Sequence, residues 1–198
     1  MVFFDQAISY ICILNRIINK NNGGHGLLIG TGASGRRSYL KIACELSAVK
    51  LNFLNSAKEM KLKDWKEYIK SQLKVFTKVN QKRAILFKEN DIFSHDVIED
   101  IHHLVINGVI PNLMNEDFDS IKSDSSNTEI LGIGLEKYIE NFYKKCKDNL
   151  HIFINLSPLG EKLREYCRIY PSLITYSTLV YFTEWPQTAL LEVAKHFL

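Results

Sequence analysis

The 198-residue sequence has little bias of charge: 25 basic against 22 acidic side chains leave a formal +3, and no basic stripe interleaved with aromatics runs through it. Neither nucleic acid nor an anionic membrane is therefore an expected partner. Cysteine is scarce. Cys12, Cys44, Cys146 and Cys167 lie far apart, without C-x-x-C spacing or a histidine at zinc-ligand distance. That argues against a disulfide framework or a metal knuckle and predicts buried thiols in a reducing compartment. No apolar stretch approaches the roughly 18–20 residues of a membrane span, and the start, Met1-Val2-Phe3-Phe4-Asp5-Gln6, lacks the basic segment of a secretory signal. A soluble, intracellular chain is the expectation. Ala194-Lys195-His196-Phe197-Leu198 closes the sequence inside a helical pattern with no cap, which predicts a segment of something larger.

What the sequence does hold is a 46% hydrophobic composition, ample for the core of one domain. Three of its ten glycines fall in one stretch, Gly30-Thr31-Gly32-Ala33-Ser34-Gly35-Arg36-Arg37-Ser38, which follows the apolar Leu27-Leu28-Ile29 and precedes a helical pattern. Glycines let a backbone curl into an anion-binding nest, and the free N–H groups of the next helix face the anion with the positive end of its dipole. A nucleotide phosphate loop is the leading reading, and a tight strand-to-helix turn is the plainer one. In G-x-x-x-x-G-K-[ST] the lysine reaches the β- and γ-phosphates and the hydroxyl ligates magnesium. Here Arg36 and Arg37 occupy those positions, with Ser38 one step late. Phosphate binding survives that change more easily than catalysis does.

Around the loop the periodicity alternates. A helix over 3–20, with Phe4, Ile8, Ile11 or Cys12, Asn15 and Ile18 on its inner face, leads to a strand at 26–29; a helix over 38–49 and a short strand at 51–54 follow. Asp64 is read as the cap of a helix running to about residue 79, ahead of the continuous apolar strand Ala84-Ile85-Leu86-Phe87. A helix from Ser94 or His95 ends at Asn107-Gly108, residues 115–131 form a polar, flexible loop with room for one helical turn, and a helix over 133–148 meets a strand over 150–156. A helix near 160–168, an apolar segment over 173–182 and a terminal helix over 187–198 complete the pattern. Strands alternating with helices predict a parallel, helix-covered sheet. His102 and His103 have no second metal ligand at suitable spacing and read as structural. Trp65 and Trp185 read as core, and the lysine-rich faces at 58–70 and 144–147 as solvated.

The order of Val2-Phe3-Phe4, Asn15-Arg16-Ile17, the Gly30 to Ser38 loop, Asn107-Gly108-Val109-Ile110-Pro111-Asn112-Leu113, Asn149-Leu150-His151, Ser157-Pro158, Tyr170-Pro171-Ser172-Leu173 and Trp185-Pro186 resembles the dynein heavy chain, in its fourth AAA+ module, over essentially the whole sequence. The resemblance implies an α/β AAA+ P-loop NTPase large subdomain over 1–186, with a five-stranded parallel sheet flanked by helices. It implies that 187–198 begins a small lid subdomain. It also implies a place among neighbouring AAA+ modules of one heavy chain, in a cytoplasmic or axonemal motor that reaches the microtubule only through other parts.

Carried over by position, Gly30, Thr31, Gly32, Ala33, Ser34, Gly35, Arg36, Arg37 and Ser38 match the phosphate loop, and Val2 and Phe3 either the segment that flanks adenine or a plain hydrophobic staple. Arginine at 36 keeps the charge but is bulkier than lysine. Lys88-Glu89 stands where a Walker B Asp-Glu is expected, so a magnesium ion would meet a cation in place of a carboxylate. Glu89 is the candidate general base, with Asp91 behind it. Ser157 is either the polar γ-phosphate sensor or the cap of the helix after Pro158. Arg168, with Arg164 one turn earlier, is either an arginine finger projecting toward a neighbouring module or a solvated surface arginine. ADP or ATP is the implied ligand, weakly hydrolysed or not at all, and bound magnesium is not expected. A competent ATPase using Glu89 and a nucleotide-free spacer are the alternatives.

Overall fold

The computed structural model describes residues 4–20, 23–54, 60–78, 81–118 and 134–197. Five strands form one sheet: β1 (His25–Gly30), β2 (Lys50–Phe53), β3 (Arg83–Lys88), β4 (Leu150–Leu156) and β5 (Ser177–Phe182), in the order β2-β3-β4-β1-β5. All four pairings are parallel. The central strands β1, β3 and β4 are almost wholly buried, as parallel strands covered on both faces must be.

Two helices, α1 (Asp5–Ile18) and α2 (Arg36–Leu46), cover one face through Ala7, Ile11, Leu14, Leu40 and Ala43 on Leu28, Leu86, Phe153 and Phe182. The opposite face carries α3 (Leu62–Leu73), α4 (Val75–Lys78), α5 (His95–Asn107) and α6 (Leu135–Asn149), with α7 (Lys162–Ile169) and α8 (Ser172–Thr175) beside them. On that side Trp65, Ile69, Ile98 and Ile101 pack over Ile85, Phe87, Ile152 and Ile154. Edge strand β5 buries Val180 and Phe182 under α1 and α2 and leaves Leu179 and Tyr181 exposed on the other face. The last helix is α9 (Gln187–Phe197).

The chain leaves β1 through α2 on one face and leaves neighbouring β4 through α7 on the other. That divergence opens a crevice at the carboxyl ends of β1 and β4, where open α/β sheets bind ligands.

Several expectations need correction. The inner face of α1 is Ala7, Ile11, Leu14 and Ile18, while Ile8 and Cys12 are exposed. Asn15 instead reaches Ser47 Oγ at 2.8 Å, tying α1 to the end of α2. Asp64 is not the cap of α3: it sits at the third helical position and its carboxylate accepts the Lys61 N–H at 3.1 Å. The helix after it ends at Leu73, with Val75–Lys78 as a separate piece. The apolar segment 173–182 divides into α8 and β5. Lys70 is more than a solvated lysine, since it pairs with Asp117 at 3.0 Å. Of the expected polar loop, 119–131 lies outside the described residues, while 115–118 forms the helical turn allowed for within it.

Candidate nucleotide-binding site

Gly30 ends β1 and the loop turns directly into α2, whose first residue is Arg36. Two residues take left-handed backbone, Ala33 at φ 60° and Gly35 at φ 81°. Alternation of that kind curls the peptide so that successive N–H groups converge. The glycines serve different purposes. A Cβ on Gly30 would lie 3.0 Å from Phe182 of β5 and from Ser34 Oγ, whereas one on Gly32 would meet nothing within 4 Å. Ser34 is buried, and its hydroxyl donates to the Thr31 carbonyl at 2.9 Å, folding the loop on itself.

Arg36 spans the crevice. Its Nη1 donates to the Leu156 carbonyl at the end of β4 at 2.8 Å, and its Nη2 to the Thr31 carbonyl at 3.0 Å. Burial lowers its pKa and the nearby Glu89 carboxylate opposes that shift. A planar fork suits two divergent acceptors in a way an ammonium does not. Replacing Arg36 by Met should therefore free the loop from β4 by removing two charge-assisted hydrogen bonds, the Thr31 carbonyl keeping only the Ser34 hydroxyl, at a cost of about 2–3 kcal/mol. For a chain of this size that is about 5–10 °C in Tm. An unchanged melting temperature would show that the fork does not hold the loop.

Arg37, at the magnesium-hydroxyl position, turns away and lays its guanidinium over the Phe53 ring of β2, 4.3 Å from the centroid. Ser38 is exposed. Lys88 ends β3 in register with Asn155 of β4, so both side chains leave the sheet on its α2 face. Glu89 opens a 3₁₀ turn, Glu89–Asp91; its Oε2 accepts the Ser157 N–H at 3.1 Å and its Oε1 lies 3.9 Å from Lys162 Nζ at the start of α7. Asp91 is buried, with its carboxylate on the Lys88 N–H at 2.8 Å, and desolvation raises its pKa. Ser157 does not cap α7, which starts five residues later; its hydroxyl accepts the Leu159 N–H at 3.2 Å in a local turn. Arg164 and Arg168 are exposed and, with Glu161 and Glu165, line a shallow hollow of about 450 Å³. Val2 and Phe3 lie outside the described residues.

The donors do not fit magnesium. The hydroxyl position holds a guanidinium stacked on Phe53, the carboxylate position holds Lys88, and the nearby carboxylates Glu89 and Asp91 already accept backbone N–H groups. Hard divalent cations take oxygen ligands, and here a guanidinium and an ammonium stand where a hydroxyl and a carboxylate would supply them.

One site residue escaped the sequence reading. Asn155 carries a buried Oδ1 with no hydrogen-bond partner among the described residues and sits between β1 and β3, in register with Leu28 and Lys88. Its signal was a lone amide near the end of the apolar strand Leu150-His151-Ile152-Phe153-Ile154-Asn155-Leu156.

A family model for the "P-loop containing dynein motor region D4" matches residues 1–198. The chain is 31% identical over 199 residues to the "Dynein-1-beta heavy chain, flagellar inner arm I1 complex" of Chlamydomonas reinhardtii, covering 98% of this chain. It is 30% identical over 202 residues to "Dynein axonemal heavy chain 2" of Mus musculus and 31% over 205 residues to its Homo sapiens counterpart, each covering 100% of this chain. In each case it spans about 4% of the relative's length. With its parallel five-stranded α/β sheet and its glycine loop after β1, the chain belongs to the D4 P-loop motor region family of dynein heavy chains.

Proposed function

We propose that this chain is a nucleotide-binding regulatory or structural AAA+ module of a dynein heavy chain, holding ADP or ATP weakly to moderately and hydrolysing it slowly or not at all. The observation that carries the reading is the fork of Arg36 on the Thr31 and Leu156 carbonyls. It gives the loop a built-in cation and a fixed shape. Hydrolysis needs more than that: a metal between β- and γ-oxygens and a carboxylate to orient the attacking water. Lys88 occupies the metal-binding carboxylate's place, and Glu89 is engaged by Ser157 and lies near Lys162, which supports a weak or silent catalytic centre.

Residues 1–186 form the large subdomain in this reading and 187–198 open the lid. Leu190 and Leu191 of α9 are exposed and suit that continuation. Exposed Arg168, backed by Arg164, faces a neighbouring module of the same heavy chain, while microtubule contact belongs to other parts of the motor. The axonemal and flagellar names of the relatives support the axoneme as the place of work. Among the described residues no helix is long and apolar enough to cross a membrane.

Melting with ADP, ATP or neither, each with and without magnesium, tests the reading. Ligand at about 100 times Kd adds about 2.7 kcal/mol, or roughly 5–10 °C here. A magnesium-independent rise is expected. A rise with ATP that requires magnesium would revive the ATPase, and no shift with any nucleotide would leave a structural spacer.

A further inference from the structure

The misfit to magnesium points beyond the loss of catalysis. We propose that Lys88 stands in for the divalent cation, so that the site takes a nucleotide as the bare polyphosphate anion. The proposal rests on the phosphate-binding reading above and deepens it.

Three observations converge. First, Lys88 is the last residue of β3 and shares its register with Asn155, so its stem rises on the α2 side of the sheet, the side on which the phosphate loop enters α2. A carboxylate at that strand position would hold the metal on its nucleotide side; an ammonium there presents its own positive charge to the same oxygens. Second, the Lys88 ammonium enters none of the ion pairs among the described residues, although the Asp91 carboxyl feels it through space. The Asp91 carboxylate accepts the Lys88 backbone N–H and attracts the ammonium only at longer range, without an ion pair between them. Third, the buried Oδ1 of Asn155 on the adjoining strand, without a hydrogen-bond partner among the described residues, offers an acceptor where such an ammonium would be steadied. Arg36 supplies a further fixed positive charge at the mouth of β4.

A metal-chelated nucleotide brings a dication into this cationic crevice, and its phosphate oxygens are already engaged. Free ADP or ATP brings the full negative charge that Lys88 and Arg36 are placed to meet. Magnesium in solution then competes with the protein for the polyphosphate.

The test is calorimetric titration of ADP and of ATP into the 198-residue chain in EDTA and in excess magnesium, repeated on Lys88→Met and Lys88→Asp. The native chain should bind at least as tightly in EDTA as in magnesium. Lys88→Met should weaken binding about ten- to hundredfold in EDTA, the loss of one charge-assisted contact, and gain nothing from magnesium. Lys88→Asp should lose binding in EDTA and recover it with magnesium. Should Lys88→Asp fail to fold by circular dichroism, Lys88→Met carries the test, because its stem preserves the packing. Native binding that requires magnesium, or Lys88→Met binding as tightly as the native chain, overturns the proposal and leaves the phosphate loop standing. No binding of the native chain in either buffer overturns the phosphate-binding reading and this proposal with it.

Discussion

Acidification from pH 6.5 to pH 4 should cost this chain several kcal/mol of stability. His25 of β1 and His151 of β4 sit at the amino ends of neighbouring strands, 6% and 0% exposed. The His25 Nδ1 accepts the Ile152 N–H at 3.0 Å, so its proton is on Nε2. The His151 Nδ1 lies 2.9 Å from the Gly24 carbonyl and must donate to it, and its buried Nε2 has no partner among the described residues. Burial lowers both pKa values to about 4. For His25 the His151 ring and Lys20 add to the effect; for His151 the Gly24 carbonyl opposes it and Lys82 adds to it.

Above pH 6.5 both rings are neutral whether the chain is folded or not, and the full stability is present. As pH falls below 6.5 the unfolded chain takes up protons that the folded chain refuses, and stability drops until the folded pKa near 4 is reached. Each ring contributes about 3 kcal/mol to that loss at 1.36 kcal/mol per pH unit, and the two together up to about 6. Total stabilities of domains are about 5–15 kcal/mol, so the chain should unfold in mild acid. Asp91 and Asp100, whose carboxyls burial raises, work in the opposite direction and soften the drop. Urea midpoints at pH 7.5, 5.5 and 4.5 measure the slope, and the double variant His25→Asn, His151→Asn should flatten it. A native midpoint that holds steady from pH 7.5 to 4.5 would mean the pair is not kept neutral by the fold.

The histidine pair also shows where local reading of the chain stops. Both residues stand in apolar strand patterns, and nothing near either of them in sequence announces the other; they meet only because β1 pairs with β4. Arg36 and Leu156 likewise lie 120 residues apart, and their contact depends on the same pairing. The strands themselves were legible because Leu27-Leu28-Ile29 and Ala84 to Phe87 are continuous apolar runs and Leu150 to Leu156 is apolar apart from His151 and Asn155. The phase of α1 was not legible: Ile8, Ile11, Cys12, Ile13 and Leu14 supply overlapping apolar stripes, and packing on α2 selects the one through Ala7, Ile11, Leu14 and Ile18. At the site the glycine loop and the replaced Walker residues could be read from residue type alone. That Glu89 engages Ser157, that Arg37 stacks on Phe53 and that Asn155 keeps an orphaned oxygen are facts of three-dimensional neighbours.

Gly35→Val should lower the melting temperature by about 10–15 °C, and for a reason unconnected with nucleotide. The residue holds φ at 81°, a region that costs a side chain about 1–2 kcal/mol and a β-branched one more. A Cβ there would also stand 2.8 Å from Cε2 and Cζ of Tyr39. That ring has nowhere to go. It is 2% exposed and packed between Tyr10 and Phe182, with centroids 6.0 and 6.2 Å away. Relieving the overlap adds about 1–3 kcal/mol, for a total of about 3–5, which sets the expected shift. A melting temperature within about 2 °C of the native value would mean that the loop adopts another shape. Because this substitution damages packing as well as the anion nest, its effect on nucleotide binding says little by itself. Gly32 separates the two. Its φ is not in the left-handed region and a Cβ on it meets no protein atom within 4 Å, so Gly32→Ala should leave stability within about 0.5 kcal/mol of native. If nucleotide occupies the nest, a methyl group there stands in the phosphate's path and should weaken binding at unchanged stability. A Gly32→Ala chain that melts and binds like the native one would place the phosphate away from that side of the loop.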